Sequence, residues 1–382
     1  MREPQNRFLR TAPQSGAEFA RKADVWGMLN LDPVLTLLLL ATCLIGLIAL
    51  YSASGADLSM TLKQASSMLI GIIVMMTFAR IPPGTYAFIS PWFYAFGVVL
   101  LCLVAVIGDV RLGAQRWLTI PGVTSVQPSE FLKLAMPMMC AWYLGGRPHP
   151  LAARDIAITL GIILLPVALI AEQPDLGTSI LVFASGFFVL FLAGLPWALM
   201  GGLAAVFAML APVGWQFMHD YQRRRVLTLF DPESDPLGNG WNIIQSKTAI
   251  GSGGLLGKGW LDGSQSHLKF LPEGHTDFII AAYSEEFGFF GIVVLIGLYL
   301  AILGRAFQIA TEAQTSYARL LAGAITLSFF VYVFVNAGMV SGILPVVGVP
   351  LPFISYGGTA IITLMSGFGV LMSVHANRKL MG

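Results

Sequence analysis

Apolar residues fall in long blocks along this chain, each broken by a short polar or Gly/Pro-rich stretch before the next begins. A helix needs ~20 mostly apolar residues to cross the hydrocarbon core of a bilayer. That ruler predicts about ten spans, near residues 34–51, 63–80, 92–108, 129–144, 154–171, 178–193, 196–213, 277–302, 317–341 and 354–375. The first block is too long for a cleaved signal, and further spans follow it, so it reads as a retained helix. The expected fold class is an all-α integral membrane protein of about ten transmembrane helices, with a large extracytoplasmic loop between helices 7 and 8. Residues 1–33 read as a basic arm, 34–213 as helices 1–7, 214–276 as the loop, 277–375 as helices 8–10 and 376–382 as a tail. In the arm, Phe19, Ala23, Trp26 and Leu29 recur near helical spacing with Arg21 and Lys22 on another face. That spacing suits a short helix on the membrane surface, and a solvated arm fits equally well.

Charge placement sets the orientation. Counted with the N-terminus inside, the inner short segments carry Arg2, Arg7, Arg10, Arg21, Lys22, Arg80, Arg147, Arg154, Arg305, Arg319, Arg378 and Lys379. The outer short segments carry Lys63, Arg111 and Arg116. This asymmetry predicts that both termini of a multi-pass protein of the cytoplasmic (inner) membrane face the cytoplasm. The large loop, with its Arg223-Arg224-Arg225 run and a glycine cluster from Gly251 to Gly259, then faces the periplasm.

Composition agrees: 56% of residues are hydrophobic and 11% charged, against about 25% charged in a soluble domain. The net charge of +2 gives no sign of nucleic acid as a partner. Cys43, Cys102 and Cys140 lie in apolar stretches, which leaves no disulfide framework. His149, His219, His267, His275 and His375 are scattered without metal-ligand spacing. Gly251-Ser252-Gly253-Gly254 lacks the Lys-Ser/Thr ending of a phosphate-binding loop, so nucleotide-driven chemistry is not expected.

Ionisable groups in or at the rim of apolar spans are costly and are candidates for function. Glu130 and Lys133, three residues apart, share a helix face. They are either a buried ion pair that fixes packing or a pair whose lysine also attracts an anionic headgroup. Glu172 and Asp175 flank Pro174, which should end the fifth span; Asp175 is a substrate contact or a solvated loop carboxylate. Asp277 opens the eighth span as a helix cap or as a base at the membrane surface. Glu285 and Glu286 point to different sides, and one should pair with a cation across the bundle.

This inventory suits an amphiphilic substrate with a lipid tail and an anionic head. Sugar transfer from a lipid-linked pyrophosphate needs one carboxylate base, plus cationic charge or a metal on the leaving group. Hydrolysis of an unactivated glycoside would want two carboxylates. A transporter would show much of the same inventory.

Particular words of the sequence narrow the choice. Asn336-Ala337-Gly338-Met339 and the run from Gly342 through Pro345-Val346-Val347-Gly348-Val349-Pro350 to Pro352-Phe353-Ile354-Ser355-Tyr356-Gly357-Gly358-Thr359 resemble the signature of the SEDS family (shape, elongation, division and sporulation). So do Arg111 to Trp117, Gln127 to Lys133, Gln173 to Thr178, Gln245 to Gly254 and Pro272 to Phe278, so that the resemblance covers nearly the whole chain. Pro345 to Pro350 and Gln245-Ser246-Lys247 are closer to the elongation members than to the division members.

The resemblance implies a peptidoglycan glycosyltransferase that polymerises lipid II outside the cytoplasmic membrane and releases undecaprenyl pyrophosphate. It implies ten helices, a class B penicillin-binding protein as crosslinking partner, and a key aspartate at Asp277. That residue would be the base on the acceptor sugar's 4-hydroxyl or a ligand to a divalent cation, Mg or Mn, with no cofactor otherwise expected. Trp117 and the Glu130/Lys133 pair match functional positions of the family. Arg116, Lys247 and Arg223 to Arg225 are candidates for the pyrophosphate on charge alone. A lipid II flippase, or a scaffold without catalysis, is the alternative. Flipping would weigh on Lys133, Glu130 and Glu285, and polymerisation on Asp277.

Overall fold

The computed structural model describes residues 26, 29–111, 114–120, 124–218, 220–235, 238–264 and 273–378. Every predicted apolar block is a helix: α1 (Pro33–Ala53), α2 (Leu58–Ala79), α3 (Pro83–Ile107), α4 (Pro128–Leu144), α5 (Ala153–Glu172), α6 (Leu176–Leu192) and α7 (Trp197–Phe217). Two helices, α8 (Asp220–Phe230) and α9 (Asn239–Gly253), lie in the large loop. The chain then forms α10 (Ile279–Thr311), α11 (Ser316–Val340) and α12 (Gly358–Ala376). Eight of them, α1, α2, α3, α5, α7, α10, α11 and α12, are long and apolar enough to cross a membrane. The 17-residue α4 and α6 are shorter. The protein is therefore an all-α multi-pass membrane protein. Most of the basic arm lies outside the described residues.

Local chemistry sets the helix starts. Asp32 accepts the Leu35 N–H with Pro33 at the first helical position, Asp57 accepts from Ser59 and Met60, and Thr315 accepts from Ala318. Asp32 also meets the Arg305 guanidinium at 2.6 Å, which ties the start of α1 to α10.

The structure departs from the pattern in four places. Residues read as an outer turn form a small antiparallel sheet, β1 (Asp109–Arg111), β2 (Ala114–Ile120) and β3 (Thr124–Val126), in that order, with Leu118 opposite Val126. Strands this short carry no readable alternation. Second, α2 and α3 start several residues early. Lys63 is therefore inside α2, and the polar Tyr86 and Ser90 are buried in α3, donating to the carbonyls of Phe78 and Tyr86. Third, the eighth span is not straight: Gly288 has φ 63° and ψ −162°, which separates a short leading helix from the long rod. Fourth, the tenth helix begins at Gly358, and residues 341–357 ahead of it are irregular, with Leu351, Pro352, Phe353, Ile354 and Ser355 buried.

That irregular segment enters the bundle between the helix ends. Tyr299 donates to the Pro352 carbonyl at 2.7 Å, and Phe353 packs on Phe329 and Phe368. Side chains are absent where it passes closest to helices: a Cβ on Gly46 would strike the Phe353 carbonyl, and one on Gly177 the Val347 carbonyl. At the opposite extreme, α7 buries none of its described side chains and stands at the rim.

Candidate active site

Asp277 sits in a turn over residues 273–278, just ahead of α10. Phe278 holds the cap position without a side-chain bond, so the carboxylate is not used in capping the helix. It is half-buried, with Oδ2 directed at Gly348 in the irregular segment. Gly348 has φ 75°, and a Cβ there would come within 3.3 Å of that oxygen. Among the described residues, no side chain gives Asp277 a hydrogen bond. Burial first, then repulsion from Glu273, push its carboxyl up to about 6, while Arg225 on α8 acts in the other direction. Such a group is ionised at neutral pH yet basic enough to accept a proton.

The cationic candidates divide. Arg223 donates to the carbonyls of Trp215 and Gln216 at 3.0 and 2.7 Å, closing the end of α7. Its neighbour Arg225 is the one that acts on Asp277. Lys247 is exposed on α9, and its stem lies over Gly342 at the start of the irregular segment. On the same helix Ser246 donates to the Val340 carbonyl at 2.8 Å, and Ile243 and Ala249 share a buried cluster with Phe278. The loop helix α9 thus packs directly beneath the Asp277 turn.

Arg116 and Asp175 meet elsewhere. Arg116 on β2 donates to the Gln173 carbonyl at 3.3 Å and to the Pro174 carbonyl, with Asp175 at 3.9 Å. Asp175 is buried, accepts from Gln127 at 2.9 Å and caps α6 through the Thr178 N–H at 3.2 Å. Of its two readings, the solvated loop carboxylate does not hold: the group is buried and both oxygens are occupied, one by the Gln127 amide and one by the helix cap. Trp117, opposite Asp109 in the sheet, is half-buried beside this knot.

Glu130 and Lys133 form an ion pair at 2.5 Å, nearly out of solvent, with the ammonium 5.4 Å from the centre of the Tyr332 ring. Glu130 Oε2 has no hydrogen-bond partner among the described residues. Glu130 also borders a groove of about 400 Å³ lined by Phe78, Phe93, Gln127, Phe131 and Thr363. Tyr332 stands one helical turn before Asn336 on α11, the residue whose amide donates to the Asp277 carbonyl at 2.8 Å, so the pair and the Asp277 turn share one helix.

Sequence reading found no use for the glycine cluster. Its backbone grips the α10 kink: Lys258 and Gly259 N–H groups donate to the carbonyls of Glu285 and Glu286, and Phe289 and Phe290 donate back to Gly254 and Leu255. A Cβ on Gly253, Gly257 or Gly288 would collide with the facing backbone. Lys258 then pairs with the fully buried Glu285 at 2.6 Å, and Ser52 donates to Glu286. One of the two glutamates does pair with a cation, but that cation, Lys258, comes from the preceding loop and not from across the bundle. Trp260 secures the same loop to α1 through the Ile48 carbonyl at 3.2 Å.

Comparison with known proteins gives a consistent picture. The family model described as cell cycle protein, FtsW/RodA/SpoVE, matches residues 33–380. The chain is 50% identical over 361 residues to peptidoglycan glycosyltransferase MrdB of Escherichia coli strain K12, covering 94% of this chain and 97% of that one. It is 35% identical over 353 residues to stage V sporulation protein E of Bacillus subtilis, covering 89% and 95%. Among solved structures, a chain from work on a peptidoglycan synthase complex coordinating polymerization and crosslinking superposes with a TM-score of 0.80 at 30% identity, covering 91% and 98%. Rod shape determining protein RodA of Thermus thermophilus superposes with a TM-score of 0.69 at 29% identity, covering 91% and 97%.

Proposed function

The chain belongs to the SEDS family of FtsW, RodA and SpoVE and is a peptidoglycan glycosyltransferase; from that premise we propose that it polymerises lipid II at the outer face of the inner membrane during cell elongation. The observation that carries the reading is Asp277: a half-buried carboxylate, free of capping duty, with its carboxyl pushed up to about 6. As general base, Asp277 takes the proton from the 4-hydroxyl of the acceptor sugar. That oxygen attacks the anomeric carbon of the donor, and the bond to undecaprenyl pyrophosphate breaks. Arg225 on α8, which acts on the Asp277 carboxyl, and Lys247 on α9, which packs beneath the turn, are the best-placed cations for the leaving charge. Arg116, Trp117 and Asp175 would act on substrate only through the sheet they anchor.

A divalent cation at Asp277 fits the described residues poorly. No three His, Cys, Asp or Glu side chains converge among them, and Asp277 with Glu273 would offer two carboxylates where hard cations favour six or more oxygens.

In this reading the shorter α4 and α6 cross the membrane together with the eight longer helices, and the 214–276 loop faces the periplasm. Both termini are cytoplasmic, and a class B penicillin-binding protein supplies crosslinking. The test is purified protein with labelled lipid II, comparing wild type with Asp277→Ala. Loss of a positioned base typically costs about 10²–10⁴ in rate, so glycan ladders should disappear from the variant. Ladders of undiminished yield would remove Asp277 from the mechanism and favour a flippase or scaffold.

A further inference from the structure

Resting on that role for Asp277, we infer that Ser355 and Asn336 are positioning residues, which aim its carboxylate by holding the carbonyls of its own turn. Three successive carbonyls leave this turn, and each meets a donor from outside it. His275 O accepts from the Tyr356 N–H at 3.0 Å, Thr276 O from Ser355 Oγ at 2.6 Å and Asp277 O from Asn336 Nδ2 at 2.8 Å. The N–H groups of Thr276 and Phe278 are already taken within the turn by the Glu273 carbonyl. The peptide planes on both sides of Asp277 are therefore fixed, and with them the direction of its Cα–Cβ bond.

Both donors are themselves held. Ser355 is buried and its hydroxyl also accepts the Leu351 N–H at 2.8 Å. Gln64, buried in α2, donates to the Ser355 carbonyl at 2.8 Å and accepts from the Gly357 N–H at 3.3 Å. Asn336 is fully buried in α11, and its Nδ2 also donates to the Val349 carbonyl at 2.7 Å. Its Oδ1 makes no hydrogen bond among the described residues. A reversed amide would set an oxygen against two carbonyl oxygens, so this orientation is forced. One amide thus joins the Asp277 turn to the strand of chain that carries Gly348, the residue the carboxylate faces. Four separate parts of the sequence converge to orient one side chain.

Displacement of a reacting group by about 1 Å costs roughly 10²-fold in rate, so these hydrogen bonds should matter to turnover far more than to substrate affinity. The ionisable groups around Asp277 are Glu273 and His275 in its turn, Arg225 on α8 and Lys247 on α9. None of them is altered by changing Ser355 or Asn336, so a moved pH profile would report the carboxylate's own surroundings.

The experiment measures kcat and KM for lipid II polymerisation from pH 5 to 8 with the full chain and its crosslinking partner. Thermal unfolding is followed in parallel. Ser355→Thr and Ser355→Val place equal bulk in the same site, and only threonine keeps the hydroxyl. Turnover in the valine variant is expected to be about 10–100-fold below that of the threonine variant, with KM within about twofold. Asn336→Ala is expected to lower kcat by a similar factor. Its acidic limb should move to lower pH, because a loosened turn exposes Asp277 to water. Equal kcat in the two Ser355 variants overturns the inference, as does an acidic limb that stays in place while only the unfolding temperature falls. Asp277→Asn, run alongside, separates the two levels. Retained turnover in it refutes the base assignment itself, whereas an inactive Asp277→Asn beside unimpaired Ser355 and Asn336 variants refutes the positioning role alone.

Discussion

At the scale of single residues, Asp277 shows how little a side chain's identity says before its surroundings are known. In the sequence it is an acidic residue ahead of an apolar block, as good a helix cap as a base. In the structure Phe278 takes the cap position, and burial with Glu273 nearby pushes the Asp277 carboxyl up to about 6. The sign of the consequence is fixed: a base works only when deprotonated. The rate should be level above about pH 7 and fall toward tenfold per unit below about pH 6, measured as kcat/KM for polymerisation. A profile flat down to pH 5 would remove a carboxyl of this kind from the rate-limiting step. Arg116 and Asp175 went the other way. On charge Arg116 is a candidate for the pyrophosphate and Asp175 a substrate contact or a solvated carboxylate; the structure uses them on one another and on the Gln173–Asp175 turn. Arg116→Ala should destabilise the protein by about 1–3 kcal/mol, the cost of leaving buried acceptors without a donor, read as a lower unfolding temperature in detergent.

At the scale of elements, the most informative is α10. Its composition reads as one continuous span, yet Gly288 breaks it, and the break has a partner in the glycine cluster of the preceding loop. Backbone can lie against backbone only where no Cβ intervenes, so Gly253, Gly257 and Gly288 are required as a set. Gly257 also has φ 81°, which adds strain to any substitution. Gly257→Ala should therefore release the loop from the kink, seen as new proteolysis between α9 and α10. An intact loop in that variant would show the contact to be dispensable. Lys258→Met leaves Glu285 buried without its cation, a change worth about 3–5 kcal/mol. It should lower the unfolding temperature more than Lys247→Met, whose ammonium is exposed on α9.

At the scale of the whole molecule, the helices divide into an interior set and a rim. α12 lies against α2, with Gly369 on the Met75 backbone, while α7 buries none of its described side chains. The distribution of arginine and lysine predicts which end faces which compartment. In a cysteine-free background, Thr248→Cys on α9 should react with an impermeant maleimide added to spheroplasts. Glu312→Cys, exposed between α10 and α11, should react only after permeabilisation. The opposite pattern would invert the proposed topology and put Asp277 on the wrong side for an extracellular polymer.

The sequence by itself determined the solvent, the helices and, through the family's words, the reaction. Long apolar blocks need no tertiary information to be helical in lipid, where each backbone group must find its partner within the span. The Glu130/Lys133 pair was legible for a similar reason, since three residues on a helix bring side chains together whatever surrounds them. What only the tertiary structure decided depends on residues far apart in the chain. Gly257 against Gly288, Asp175 against Arg116, and Ser355 and Asn336 beneath the Asp277 turn are meetings in which at least one partner lies in a segment with no periodic signal of its own. Irregular backbone satisfies its hydrogen bonds with whatever the fold places beside it, so its partners are set by three-dimensional packing and not by any local pattern.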